Sequence, residues 1–346
     1  MDARAYLSNY SKQANTFLNS YFKIKKNAAK KIDSDLSDVI EVFQNYSKGG
    51  KNLRGALTIL GYKAAGGKNL KAIMPVSCGI ELFHNFILIH DDIIDKDKLR
   101  RGMPTVHEIY SKGKDAHYGN SKAIMVGDIG AFLAYELILS SSFSKEKVIA
   151  AVGKLNDLLT KTAYGQILDI DYDYKKEVTW DEILKVRTYK TSYYTIVLPL
   201  TVGATLASAN KKTLKAIEDY GVPVGISFQL IDDILGIFGK SGKTGKSTEG
   251  DIKEGKKTLL FAKALELANK KDKEYLLKWY GNKDLDKEKI EKVKEVIKMS
   301  GSLDYSKDLA KKLIVKGKKN ISQITKSKKE VLMLESLADF IIEREK

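Results

Sequence analysis

A chain of 346 residues with 43% hydrophobic and 30% charged residues has ample material for a substantial soluble core. Its single cysteine, Cys78, sits in the apolar stretch IMPVSCGIELF and reads as core, which excludes a disulfide framework and a thiolate metal site. The net charge of +16 admits nucleic acid, membrane surfaces or anionic small molecules as partners. Much of the lysine is interleaved with Glu and Asp, however, as in residues 270–300, and no aromatic-interleaved basic run or zinc-finger spacing occurs, so nucleic acid is not expected.

From the N-terminus, MDARAYLSNYSKQ lacks the apolar run of a secretory signal, and a cytoplasmic location is expected. Only four prolines occur, and apolar residues recur with a helical period almost throughout, as in AIEDYGVPVGISFQLIDDILGIF and VLMLESLADFIIEREK. Strand-like alternation is scarce, so the pattern predicts an all-α protein. Turn chemistry marks loops at 47–52, 99–105, 111–120 and 239–257, none with the length and polarity of an interdomain linker, and a single domain over 1–346 is expected. The apolar segment Thr195–Ala209 is too short to span a bilayer and contains Pro199 and Gly203, so no stable membrane span is expected. The Lys/Gly loop at 239–257 fails as a phosphate-binding loop, because five residues, not four, separate Gly239 from Gly245 and a helix, not a strand, precedes it.

Residues 88–95 read LIHDDIID and residues 230–236 read LIDDILG. Ionised carboxylates in apolar runs are costly unless paired or metal-bound. On a helix Asp91 and Asp95 stand one turn apart on one face with Asp92 at the flank, an arrangement that suits Mg²⁺, which takes a few carboxylates, waters and phosphate oxygens. Basic and polar residues accompany both motifs: Lys51 and Arg54 in GGKNLRG, His84 two turns before Asp91, Arg100 and Arg101 in RRG, Lys190 and Thr191 in YKTS, and Gln229 before the second pair. Cations of this kind can hold one diphosphate directly while the aspartates hold another through metal.

GGKNLR, ELFHNFILIHDDIIDKDKLRRGMPTVH, MVGD, GQILD, YKTS, FQLIDDILG and TGKSTEGDIKEGKKTL together resemble the ordered motifs of the trans-isoprenyl diphosphate synthases, across residues 49–259. The resemblance implies a bundle of long helices around a deep central cavity, the isoprenoid synthase fold, working as a homodimer with Mg²⁺, three ions when substrate is bound, and Mn²⁺ as a substitute. It implies that Asp91, Asp92 and Asp95 grip the allylic diphosphate through metal, and that Asp232, with Asp233 beside it, holds a further ion. Lys51, Arg54, His84 and Arg101 match the isopentenyl diphosphate pocket, with Phe228 as its apolar wall. Arg100, Lys190 and Lys246 match direct contacts to the allylic diphosphate, a role that Lys256 fits less closely. Thr191 and Gln229 match oxygens beside the developing cation. One departure stands out: Gly236 occupies the place where the family's second motif commonly carries a third aspartate.

The implied reaction is a head-to-tail condensation of isopentenyl diphosphate with dimethylallyl, geranyl or farnesyl diphosphate. A growing tail would run down the helix away from the aspartates. Phe86 lies five residues before Asp91, about 7.5 Å along the axis, with Ile87 beside it and Cys78 and Gly79 deeper, where room is expected. An aromatic residue there followed by a non-aromatic one resembles synthases that stop near C20, so geranylgeranyl diphosphate is the expected product, with farnesyl diphosphate as intermediate or co-product. Three rival readings are weaker. A class I terpene cyclase should carry an Asn/Ser/Glu metal motif in place of LIDDILG. A phosphohydrolase built on the His90–Asp91 pair needs further histidines, and His107 and His117 fall in loop-like segments. A non-catalytic synthase subunit should have lost its aspartates.

Overall fold

The computed structural model describes residues 2–175, 177–239 and 250–343. Along the chain run α1 (Ala3–Lys30), α2 (Leu36–Tyr46), α3 (Leu53–Ala64), α4 (Leu70–Ile94), the strands β1 (Leu99–Arg100) and β2 (Met103–Pro104), α5 (Val106–Ser111), α6 (Ala116–Leu139), α7 (Lys145–Asp173) and α8 (Trp180–Val186). A π-helical segment, Arg187–Val197, leads into α9 (Leu198–Leu206) and α10 (Lys211–Phe238). There follow α11 (Gly250–Glu254), α12 (Leu259–Leu267), α13 (Lys270–Trp279), α14 (Lys287–Met299), α15 (Ser302–Lys318), α16 (Ile321–Ile324) and α17 (Lys328–Ile342). The all-α expectation holds, with one two-stranded ribbon where a loop was expected at 99–105. His107 and His117, expected in loops, lie in α5 and α6.

Polar side chains set the helix starts. Asn69 accepts the Ala72 N–H at the head of α4, Asp115 that of Tyr118 at the head of α6, and Thr179 and Glu182 form a reciprocal capping box on α8. Among the described residues two helices, α4 and α10, are long and apolar enough to cross a membrane, whereas the best candidate expected was Thr195–Ala209. In their most apolar windows 67% and 61% of residues are buried within the protein, as in core helices.

The chain divides into two compact units, Met1–Lys154 with Pro199–Asn210, and Leu155–Leu198 with Lys211–Lys346. One division falls inside α7, so no linker composition marks it. In the first unit α4 packs between α3 and α6. The approach to α6 is close at Gly79, where a Cβ would stand 2.8 Å from the Ala134 carbonyl oxygen. Gly79 therefore serves helix contact and leaves none of the room expected of it. In the second unit α10 packs against the π-helical segment and α15, with Leu230, Ile237, Leu259, Val293 and Ile297 in its core. Each such side chain contributes roughly 1.5–3 kcal/mol by leaving water.

Candidate active site

The first unit carries the first aspartate motif at the end of α4. The Asp95 N–H donates to the Asp91 carbonyl at 2.8 Å, which keeps the two residues one helical turn apart. Lys96 then takes φ 56°, outside the helical region, and the helix stops. Asp91 is half-buried and Asp95 exposed, whereas Asp92 is fully buried. The chain returns in the β1–β2 hairpin, whose two-residue turn, Arg101 at φ 53° and Gly102 at φ 77°, has the left-handed pair that tight hairpins use. That turn brings Arg100 back onto Asp92: its Nε donates to Oδ1 at 2.7 Å, and its Nη2 donates to the same oxygen and to Asp97 Oδ2 at 3.0 Å. The Tyr46 hydroxyl donates to Asp92 Oδ2 at 2.6 Å. Burial raises the Asp92 carboxyl above its ordinary range, against the pull of Arg100.

A second cluster lies two turns back along α4. Glu81, buried, accepts the Gly55 N–H at 2.6 Å and so holds the first turn of α3, which begins just after Lys51 and carries Arg54. Arg101 donates to the Lys48 carbonyl at 3.0 Å, across the segment that leads into α3. His84 lies in the field of Arg54, Arg101 and Arg100, and burial together with these cations keeps its imidazole well below its usual pKa, hence neutral. Glu81 is a buried carboxyl that faces Arg54 and Arg101, and burial raises it above its ordinary range. The arrangement leaves an excess of positive charge suited to an anion.

The second unit carries the other motif on α10. Thr191 Oγ1 donates to Gln229 Oε1 at 3.2 Å, and Gln229 Nε2 donates to Asp233 Oδ1 at 2.8 Å, so three expected site residues form one hydrogen-bonded chain. Asp233 is buried, and that burial lifts its carboxyl to about 6, while Asp232 beside it is half-exposed. Lys190 sits on the π-helical segment and donates to Asp169 on α7 at 2.5 Å. Gly165, one turn before Asp169, makes this possible: a Cβ there would stand 2.3 Å from the Lys190 backbone nitrogen. The wide helix also lets Ser192 donate to the carbonyl five residues back, Arg187, at 3.1 Å. π-Helical turns of this kind concentrate at functional sites. Phe228 is half-buried next to Gln229, and Lys256 pairs with Asp251 at 3.1 Å and Glu254 at 3.2 Å. Lys246 lies outside the described residues.

Several participants escaped the sequence reading. Tyr46 and Glu81 bind the first cluster from inside. Asp169, although it ends the GQILD motif, was not singled out. Arg187, buried, has its Nε 4.0 Å from Asp233 Oδ2 and is a counter-ion that no motif announced.

The donors suit magnesium. Asp91 and Asp95 offer hard oxygens one turn apart with outward access, and Asp232 is similarly half-exposed. Among the described residues no three His, Cys, Asp or Glu converge as a ready-made cage. Mg²⁺ needs none, since waters and phosphate oxygens complete its shell. A His–Asp hydrolase does need converging ligands, and His90 turns instead to Asp128, 3.5 Å away on α6. On α4, Phe86 is half-buried and packs edge-on against the His90 ring, with centroids 4.7 Å apart, beside half-buried Ile87.

The family model for polyprenyl synthetase matches residues 37–298, a span that runs through both units. The chain is 35% identical to the geranylgeranyl diphosphate synthase of Methanosarcina mazei over 86% of each chain. It is 32% identical to that of Sulfolobus acidocaldarius over 99% of this chain and all of the relative. Among solved structures, geranylgeranyl pyrophosphate synthase from Corynebacterium glutamicum, complexed with isoprenyl diphosphate and magnesium, superposes with a TM-score of 0.92 at 28% identity, covering 98% of this chain and 99% of that one.

Proposed function

The chain belongs to the polyprenyl synthetase family, and on that footing we propose that it is a short-chain prenyltransferase condensing isopentenyl diphosphate with allylic diphosphates to give geranylgeranyl diphosphate, with farnesyl diphosphate as intermediate or co-product. The observation that carries this reading is the Asp91–Asp95 turn, hydrogen-bonded at 2.8 Å and reached by solvent, on the same helix as His84, which lies among the cations Arg54, Arg101 and Arg100. A metal site next to a metal-free anion site is what two diphosphate substrates require.

In this reading Asp91, Asp95 and Asp232 hold the divalent ions, three in number with substrate bound, with Asp92 and Asp233 behind them. Ions held there supply the positive charge that lets the allylic C–O bond ionise. Arg100, Lys190 and Lys246 bear on the same diphosphate, with Lys256 as a further cation. Lys51, Arg54, His84 and Arg101 hold isopentenyl diphosphate, and Phe228 walls its pocket. The Thr191 and Gln229 oxygens face the allylic cation, and apolar side chains keep water from it. The isopentenyl double bond forms the new C–C bond, and a proton leaves C2 with the released diphosphate as its acceptor. Phe86 is the floor of the tail's path, with Ile87 at its side.

We also propose a cytoplasmic homodimer. The support for the dimer is a stripe on α6 in which Tyr118, Met125, Phe132 and Leu139, spaced by sevens, are 43%, 56%, 68% and 60% exposed. Such a row stays on one side of a helix, and exposed apolar rows of this size mark interfaces.

The test is incubation of the purified chain with isopentenyl diphosphate, each allylic primer and Mg²⁺, with chain-length analysis of products. The expected result is C20 product that is lost when metal is chelated, and turnover lowered by about two orders of magnitude or more in Asp91→Ala with the fold intact. Near-normal turnover in that variant would remove the role given to the motif.

A further inference from the structure

Net charge is spread unevenly along the chain. Residues 309–329, from the middle of α15 through α16 to the start of α17, hold eight lysines and no Asp or Glu, and so supply 8 of the net +16. The lysines of α14 show the contrast: Lys292 pairs with Glu295 at 2.9 Å and Lys294 with Glu291 at 2.8 Å. Within 309–329 only Lys318 meets a carboxylate among the described residues, that of Asp339; the other seven lysines are exposed. Two of them, Lys328 and Lys329, occupy the first turn of α17, where the helix dipole disfavours cations and Glu330 alone offsets it. Charge placed against helix stability and left unpaired calls for a partner. We propose that this lysine face seats the protein on a bilayer surface rich in anionic phospholipid.

Packing gathers these charges. The apolar side of α15 is spent inside the protein, with Ala310, Ile314 and Gly317 buried. Lys316 and Lys319 are left outside with Val315, which is 57% exposed. Tyr220 of α10 holds both helices: a Cβ at Gly317 would stand 3.0 Å from its carbonyl oxygen, and its hydroxyl donates to the Leu334 carbonyl at 2.8 Å. Lys328 lies six residues before Leu334, about 9 Å along α17, so the cations of the two helices surround one stretch of α10. Asp232 is about 18 Å along α10 from Tyr220, which keeps the face clear of the metal-binding motif. The composition selects the occupant. Clusters of four to eight basic residues are attracted to anionic lipid surfaces, and an exposed valine among them can enter the headgroup layer. Residues 309–329 contain no aromatic side chain to stack on a base and no arginine to grip a phosphate in two places, the features that nucleic acid would call for. A bilayer is also the phase that accepts the tail of the C20 diphosphate proposed above. That advantage rests on the proposed prenyl transfer; the binding itself does not.

Cosedimentation of the full chain with vesicles tests this, using phosphatidylglycerol and phosphatidylcholine in equal parts, or phosphatidylcholine alone. At about 0.15 M salt the wild type is expected to bind the anionic vesicles about tenfold or more tightly than the neutral ones, and to release at about 0.5 M salt, where the screening length roughly halves. The triple variant Lys316→Glu, Lys319→Glu, Lys328→Glu is expected to lose about tenfold or more of that binding. The triple variant Lys292→Glu, Lys294→Glu, Lys298→Glu makes the same change in net charge on α14 and should lose less than about threefold. Melting of the first variant should match wild type, because its three lysines make no ion pair. If it melts early, the lipid preference and salt release of wild type decide alone. Equal losses in the two variants, or equal binding to neutral vesicles, would overturn the proposal. So would tighter binding of wild type to duplex DNA than to anionic vesicles, lost in the first variant, which would make the face a nucleic-acid site. Absence of prenyl transfer by wild type would overturn the functional reading and leave the vesicle result standing on its own.

Discussion

Arg100 folds back from the hairpin onto Asp92, eight residues earlier, and its Nε meets Oδ1 at 2.7 Å, while Tyr46 takes the other carboxylate oxygen at 2.6 Å. Both oxygens of Asp92 are therefore engaged by the protein, and the side chain is only 1% exposed. The three aspartates of the first motif consequently divide their work: Asp92 ties the end of α4 to the hairpin and to α2, and Asp91 and Asp95 face outward. Removing Asp92 leaves Arg100 with Asp97 alone and takes the acceptor from the Tyr46 hydroxyl, at a cost of about 1–3 kcal/mol. Asp92→Ala is expected to lose that much in denaturant unfolding, whereas Asp95→Ala should change stability by less than about 0.5 kcal/mol. Equal losses in the two variants would contradict the division.

Gly165 offers a test of the second unit that touches no charged group. Its missing side chain admits the Lys190 backbone, which sets Lys190 Nζ on Asp169. Gly165→Ala should force the π-helical segment away, destabilise the protein by about 1–3 kcal/mol, and lower turnover because Lys190 and Thr191 move with it. Wild-type melting and turnover in that variant would show the segment to be free to shift.

Much of this arrangement was legible beforehand, and the limits are physical. Helical periodicity gave α10 and α17, because an apolar repeat of 3.6 reports burial directly. The Asp91–Asp95 spacing gave a shared face, because side chains one turn apart must coincide. Pairings between distant elements carry no such signature. Arg187 and Asp233, or Glu81 and Gly55, meet only after the helices pack. The π-helical segment was invisible for another reason: one extra residue per turn leaves RTYKTSYYTIV with nothing that distinguishes it from an ordinary helix. Gly236 was noticed as a departure, but that the Asp251 carboxylate fills the space above it emerges only once the helices pack.

Phe86 is proposed to set product length, and its surroundings define the test. The ring packs on His90, and Gly127 of α6 lies beneath both; a Cβ there would stand 2.6 Å from His90 Nε2 and 3.5 Å from Phe86 Cδ2. The Phe86 ring is therefore backed by a second helix. Phe86→Ala should shift products from C20 to longer chains by opening that floor, read by chromatography of the dephosphorylated prenols. The same product distribution as wild type would assign the floor elsewhere.

The α6 stripe gives a prediction about assembly. Phe132 is its most exposed member at 68%, so Phe132→Glu puts a charge where a partner helix would lie. Light scattering should show a dimer for wild type and a monomer for the variant, with melting of the monomer otherwise cooperative. A variant that remains dimeric would place the interface on another face.

Glu81 provides a pH dependence that involves no metal ligand. Burial raises its carboxyl above the ordinary 4.5, and the Gly55 N–H, Arg54 and Arg101 offset only part of that. A folded-state pKa above the unfolded value means that folding favours the protonated form. The stabilisation is thus complete below pH 4.5 and is lost as pH rises through the raised value. Glu81→Gln mimics the protonated carboxyl and keeps an oxygen to accept the Gly55 N–H. Measured with chelator present, the melting temperature of Glu81→Gln relative to wild type should therefore climb as pH rises from 4.5 into the neutral range. The opposite trend, wild type gaining on the variant, would mean that attraction to Arg54 and Arg101 outweighs burial, and that Glu81 is a fully ionised counter-ion of the anion site.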